Sequence, residues 1–169
     1  MAKYLKNAAG KITEEQPITT SGGAGDAAKI PQTDSSGRLD ISLMPVGLGA
    51  EVVVAPASEN LVAGDFVHLH NNAGALNVRK ADATTNAKPA NGFVLANVTS
   101  AANATVYLIS QTNTARSSLT IGSEYYLSTT AGGVTTTAPS ATGNIVQRLG
   151  VATSATSIVF DNTVTVELI

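Results

Sequence analysis

Leu61-Val62-Ala63-Gly64-Asp65-Phe66-Val67-His68-Leu69 and Leu119-Thr120-Ile121-Gly122-Ser123-Glu124-Tyr125-Tyr126-Leu127 decide how this chain is read. Each is a Leu-x-x-Gly turn running into an alternating segment, and the second lies 58 positions after the first (Leu61 to Leu119). Working outward, Ala73-Gly74 recurs as Ala131-Gly132, and Gly92-Phe93-Val94 as Gly150-Val151-Ala152. Thr105-Val106-Tyr107-Leu108 answers to Ser157-Ile158-Val159-Phe160 at a smaller offset, so the second copy is the shorter. The pattern reads as one β-module written twice, 51–111 and 112–169, with convergent hairpin composition as the alternative. Equivalent modules would lose comparable stability on Gly64→Val and Gly122→Val.

From Glu51 onward the signals are almost all strand: short β-branched or alternating runs at 51–55, 65–71, 75–80, 92–99, 105–111, 124–129, 133–137, 145–154, 157–161 and 164–168. Gly, Asn, Pro or Ser-Ala clusters separate them, and their even spacing predicts an all-β domain, a barrel or a sandwich. The Ala- and Thr-rich tracts at 81–90 and 135–142 read as loops. Aromatics make up only 4% of the chain, and Trp and Cys are absent. Such a core fills with small side chains, which points to further apolar burial between subunits.

Residues 1–50 differ in composition. They hold ten of the chain's 22 charged side chains, with Pro17, Pro31, Pro45 and the run Ser21-Gly22-Gly23-Ala24-Gly25. Their apolar residues are too sparse for a core, so the segment is expected to be an extended N-terminal arm that orders against a partner. Fully stretched, it would span about 150 Å at ~3.3 Å per residue. Within it, 26–30 suits a short helical turn capped by Asp26, and Asp34-Ser35-Ser36-Gly37 is a turn signal.

A net charge of −2 with no basic stripe argues against nucleic acid as a partner. No window approaches the ~18 apolar residues of a membrane span, so no membrane partner is expected. Residues 1–7 lack a signal peptide's apolar stretch, and synthesis in a cytoplasm is expected.

No catalytic constellation is present, and no cofactor is expected. His68 and His70 share one strand face, a spacing that suits a metal if subunits meet on a common axis. No third ligand lies near them in sequence, so a solvent- or subunit-facing strand is the preferred reading and no metal is assigned. Gly22–Gly25 has neither the preceding strand nor the Gly-Lys-Ser/Thr ending of a phosphate loop, and reads as a tether. Adjacent Tyr125 and Tyr126 must face opposite ways, one to the core and one outward.

The segment Ala27-Ala28-Lys29-Ile30-Pro31-Gln32-Thr33-Asp34-Ser35-Ser36-Gly37-Arg38-Leu39-Asp40-Ile41-Ser42-Leu43-Met44-Pro45 resembles one common in structural proteins of tailed bacteriophages. Ala63-Gly64-Asp65-Phe66-Val67, Val78-Arg79-Lys80-Ala81-Asp82-Ala83 and Gly92-Phe93-Val94-Leu95 look like the capsid decoration, or cement, proteins of those phages. So do Tyr126-Leu127-Ser128-Thr129-Thr130-Ala131-Gly132-Gly133 and Val146-Gln147-Arg148-Leu149-Gly150. The resemblance implies a non-enzymatic β-domain on the capsid exterior, often a homotrimer, that stabilises the head and bridges major capsid protein subunits through its arm. The arm residues expected to bind are Ile30, Leu39, Ile41, Leu43 and Met44. The alternative is a phage fibre or spike component that binds host surface glycans; it is disfavoured because nearly all the aromatics fall in expected strands, not loops.

Overall fold

The computed structural model describes residues 3–44, 50–161 and 164–169, with the side chain of Ile41 outside the described set. The chain divides into two units, 1–49 and 50–169. The first holds the strands β1 (Tyr4–Ala8) and β2 (Lys11–Glu15) and two 3-10 turns, Ala24–Asp26 and Ile41–Leu43. The second is all strand: β3 (Val52–Pro56), β4 (Phe66–Asn72), β5 (Ala75–Lys80), β6 (Gly92–Phe93), β7 (Asn103–Tyr107), β8 (Thr112–Asn113), β9 (Glu124–Leu127), β10 (Val134–Thr135), β11 (Ile145–Val146), β12 (Arg148–Ser154), β13 (Ser157–Phe160) and β14 (Val166–Glu167).

Within the second unit, two antiparallel five-stranded sheets follow the same order. The first runs β3-β7-β6-β4-β5 and the second β8-β13-β12-β9-β10, strand for strand the same path. The recurrence reaches individual hydrogen bonds. Gly64 N–H donates to Val94 O and Gly122 N–H to Ala152 O, both at 2.8 Å; Val94 N–H then returns to Asp65 O as Ala152 N–H does to Ser123 O. Gly64 and Gly122 close the Leu-x-x-Gly turns with φ of 92° and 80°, a region L side chains avoid. A β-carbon at Gly92 would lie 2.4 Å from Tyr107 O, and one at Gly150 1.9 Å from Val159 O, so each glycine lets its strand seat on the equivalent neighbour.

Two cores result. One lies on the inner face of the first sheet, built from Leu61, Val67, Val78, Val94 and Val106 with small alanines. The other lies between the sheets. There Phe66 and Phe93, on the outer face of the first sheet, meet Phe160, Tyr125, Leu127 and Ile158 of the second. Phe66, Phe93 and Phe160 are fully buried and pair edge to face at 5.5–6.1 Å. Such pairs add about 0.5–1.5 kcal/mol each beyond simple burial.

The architecture is sandwich-like and not a closed barrel. The edges β3 and β5 of the first sheet approach at a single parallel bridge, Ala57 to Val78, with no ladder. The edges β8 and β10 of the second do not pair among the described residues. The expected strand over 145–154 divides at Gln147, whose side chain turns inward, and β12 then bulges between Arg148 and Gly150.

In the first unit, the reading placed no strands before residue 51, yet β1 and β2 form a hairpin closed by Ala9-Gly10, with φ of 52° and 82°. Positive φ at both turn residues matches the right-handed twist of the strands they join. The helical turn expected at 26–30 forms earlier, at Ala24–Asp26, and 26–29 closes as a non-helical turn with Lys29 N–H on Asp26 O. Asp26 ends the 3-10 turn rather than capping it, and its carboxylate accepts Gly22 N–H at 2.6 Å. The turn at 34–37 forms as expected, with Asp34 accepting the N–H groups of Ser36 and Arg38 and Gly37 at φ 74°.

Candidate functional site

No described residue of 3–44 is buried. The backbone is nonetheless held in place. Tyr4, Lys6 and Glu15 share one face of the hairpin, where Lys6 pairs with Glu15 at 3.0 Å and the Tyr4 hydroxyl accepts Ile30 N–H. Ile18 and Pro31 form a parallel bridge: Ile18 N–H donates to Ile30 O and Gln32 N–H to Ile18 O. Ser42 Oγ accepts Ser21 N–H, tying the second 3-10 turn back to the glycine-rich run.

The charges of this unit are largely satisfied within it. Lys3 pairs with Glu14, Lys6 with Glu15 and Lys29 with Asp26. The Lys6 hydrogen bond holds the Glu15 carboxyl below its usual range; the Lys29 bond lowers Asp26, and Asp26 in turn raises Lys29. Hydrogen bonds from Ser42 lower Asp40. Exposed apolar side chains stand beside these pairs. Leu5 and Ile12 sit diagonally on the hairpin face opposite Tyr4, 72% and 66% exposed. Neither was expected as a contact residue.

The five arm residues expected from sequence are distributed as follows. Ile30 is exposed beside the Ile18–Pro31 bridge. Leu39 and Met44 are exposed on either side of the second 3-10 turn, and Leu43 within it is half-buried. Ile41 starts that turn, and its side chain lies outside the described set. Leu39, Leu43 and Met44 thus lie in one short stretch of chain, with Ile30 in a separate one.

His68 and His70 do lie on one face of β4, rings near-parallel with centroids 6.4 Å apart. Each has other work. His68 Nδ1 bonds Pro89 O at 2.8 Å, and His70 Nε2 bonds Ser58 Oγ at 2.9 Å. Burial lowers the His68 pKa, and Arg79 on the neighbouring strand reinforces this. Among the described residues no group of three His, Cys, Asp or Glu side chains converges. Tyr125 is buried, its hydroxyl accepting Thr120 N–H, while Tyr126 turns outward and donates to Glu124.

No protein-family profile matches this chain, and no curated protein matches it. Among solved structures, the N base of the head fibre gp8.5 of bacteriophage phi29 is similar over 67% of this chain and 95% of its own, at 14% identity and a TM-score of 0.45.

Proposed function

We propose that this chain is a structural protein of a tailed-bacteriophage head, a decoration protein on the capsid exterior that fastens to the major capsid protein through its first unit. The observation that carries the reading is a unit ordered by hydrogen bonds and ion pairs, with none of its described residues buried and with Leu5, Ile12, Ile30, Leu39 and Met44 exposed. An apolar surface without a core beneath it gains about 25 cal/mol for each Å² a partner covers. Docking a preformed hairpin also avoids much of the ~1–2 kcal/mol per residue that fixing a free backbone costs. The phage-like segment at 27–45 falls in the same unit. The second unit, with two cores of its own, stays folded as the displayed body. Homotrimer formation would provide three such units per particle and multiply a modest single contact.

The test is co-sedimentation of the full-length chain with purified phage heads that lack it. Leu5→Asp combined with Ile12→Asp should abolish pelleting while the melting transition of 50–169 stays in place. Undiminished pelleting by that double variant, and by a chain beginning at residue 50, would overturn the proposal. Sedimentation equilibrium of the free protein reads the trimer directly.

A further inference from the structure

The first module carries a cleft of about 380 Å³ that its sequence builds with residues its counterpart does not have. The offset between the copies falls from 58 at Val94 (Ala152) to 52 at Tyr107 (Val159), so the first copy has six additional residues in this stretch. Those residues form a loop between β6 and β7 that is firmly tied down. Leu61 and Val98 exchange backbone hydrogen bonds, Ser100 N–H donates to Asn60 Oδ1, and Ala57 and the Ala101–Ala102 pair are bonded in both directions. The cleft is thus preformed, with a volume inside the roughly 300–1,000 Å³ of small-molecule sites.

Its chemistry is specific. Alternation along β7 sends Ala104 and Val106 into the core and presents Asn103, Thr105 and Tyr107 to the cleft. The Tyr107 ring is stacked on Phe93, 5.6 Å away and 15° from parallel, which fixes its plane at the margin of the inter-sheet core. Across from it the loop contributes Asn97 and Thr99. Asn97 spends its Oδ1 on Ala63 N–H, and its amide donors have no partner among the described residues. The side chains of Thr99, Asn103, Thr105 and Tyr107 have no hydrogen-bond partner among the described residues. No charged side chain lines the cleft.

Uncommitted amides and hydroxyls set beside an aromatic ring and the apolar Val94, Leu95, Ala96, Val98 and Ala102, with no charge, are matched by a neutral sugar ring, which has both hydroxyls and an apolar face. We infer that this cleft binds a neutral sugar unit of a glycan. An apolar ligand would strand the polar groups without partners, and an acidic sugar finds no counter-charge. The inference holds for a decoration protein and for any other place on a virion, because it rests on the second unit alone.

The test is titration of the ¹⁵N-labelled full-length chain with the methyl glycosides of glucose, galactose, mannose and N-acetylglucosamine, with glucuronic acid as the charged comparison. At least one neutral glycoside should give saturable shifts confined to the amides of 94–107 and of the strands beside them. Asn103→Ala should weaken that binding roughly tenfold, and Thr105→Arg, which fills the cleft from an exposed position, should abolish it without lowering the melting temperature. Absence of saturable shifts with all four glycosides would overturn the inference. So would unchanged binding by Thr105→Arg, or a preference for glucuronic acid over glucose.

Discussion

Replacing Gln147 by leucine should destabilise the second unit more than any substitution that removes so little volume has a right to. Gln147 is 1% exposed, and its amide grips the backbone of Ala90 in both directions: Ala90 N–H donates to Oε1 at 2.7 Å and Nε2 donates to Ala90 O at 2.8 Å. Ala90 is itself fully buried, in the loop between β5 and β6. The pair therefore bolts a loop of the first sheet to the junction of β11 and β12. Leucine has similar bulk, so the cavity contribution is small, but both backbone groups are left without a partner. An orphaned buried polar group costs about 1–3 kcal/mol. Two of them amount to about 2–6 kcal/mol, a large part of the 5–15 kcal/mol that holds a typical domain. Urea denaturation followed by far-UV circular dichroism and by tyrosine fluorescence measures it, since the chain has no tryptophan. The midpoint should fall with the slope unchanged. A loss below about 1 kcal/mol would refute the reasoning, because it would mean that Ala90 finds other partners at no cost.

Gly150→Ala should be far more damaging than Gly122→Ala. A β-carbon at Gly150 would sit 1.9 Å from Val159 O, whereas at Gly122 it meets nothing within 4 Å and only the backbone strain of about 1–2 kcal/mol remains. The same comparison separates Gly64 from Gly122: a β-carbon at Gly64 would sit 2.4 Å from Ala115 O, so Gly64→Val should cost clearly more than Gly122→Val, against the equal losses that the recurrence alone suggests. Thermal melts of the four variants test both statements. Burial alone would raise the Asp82 carboxyl, but the Thr84 hydroxyl and N–H and the Lys88 ammonium together hold it below its ordinary 3.8. A lowered folded pKa contributes stability that is complete above the unfolded value and is lost as pH falls through the folded one. Stability should therefore decline below about pH 4, and Asp82→Asn should be less stable at neutral pH with a shallower acid decline.

Much of the second unit was legible because strand alternation and turn residues agree there. The run from Phe66 to Lys80 is the clearest case: alternating side chains on both sides of Ala73-Gly74, which closes β4 and β5 with φ of 52° and 90°. The same dipeptide in the same conformation closes β1 and β2 at Ala9-Gly10. It carries no strand signal in the sequence, because the flanking residues are charged or polar and no core calls for a strand. A hairpin held by cross-strand ion pairs leaves a weak apolar pattern, and Leu5 and Ile12 do not stand out in it. Gln147 was illegible for a different reason. Nothing local marks a glutamine that turns inward to a backbone 57 residues away. The spacing of His68 and His70 gave their shared face correctly, but Pro89 and Ser58, which occupy their ring nitrogens, carry no signal in the sequence.

The two copies share a path but not a partner, and the reason lies in which faces meet. The inner face of the first sheet buries Leu61, Val67, Val94 and Val106 against itself; the equivalent Leu119, Tyr125, Ala152 and Ile158 of the second face the outer side of the first sheet. Outer face packs on inner face, a head-to-tail contact that does not close on itself. Such a stack always ends with one outer face uncovered, here the second sheet's, where Phe66 and Tyr107 are replaced by Glu124 and Val159. The end is made safe by charge. Arg148 bridges Glu124 and Asp161, each at 2.9 Å, and so lays an ion-pair network across the surface whose counterpart on the first sheet is buried and carries Phe66 and Phe93. This is the device by which a terminal repeat stops further stacking. It explains why the sequence match between the copies fails at Phe66 and Glu124 while the glycines around them coincide: the glycines specify the shared fold, and the mismatch specifies where it ends.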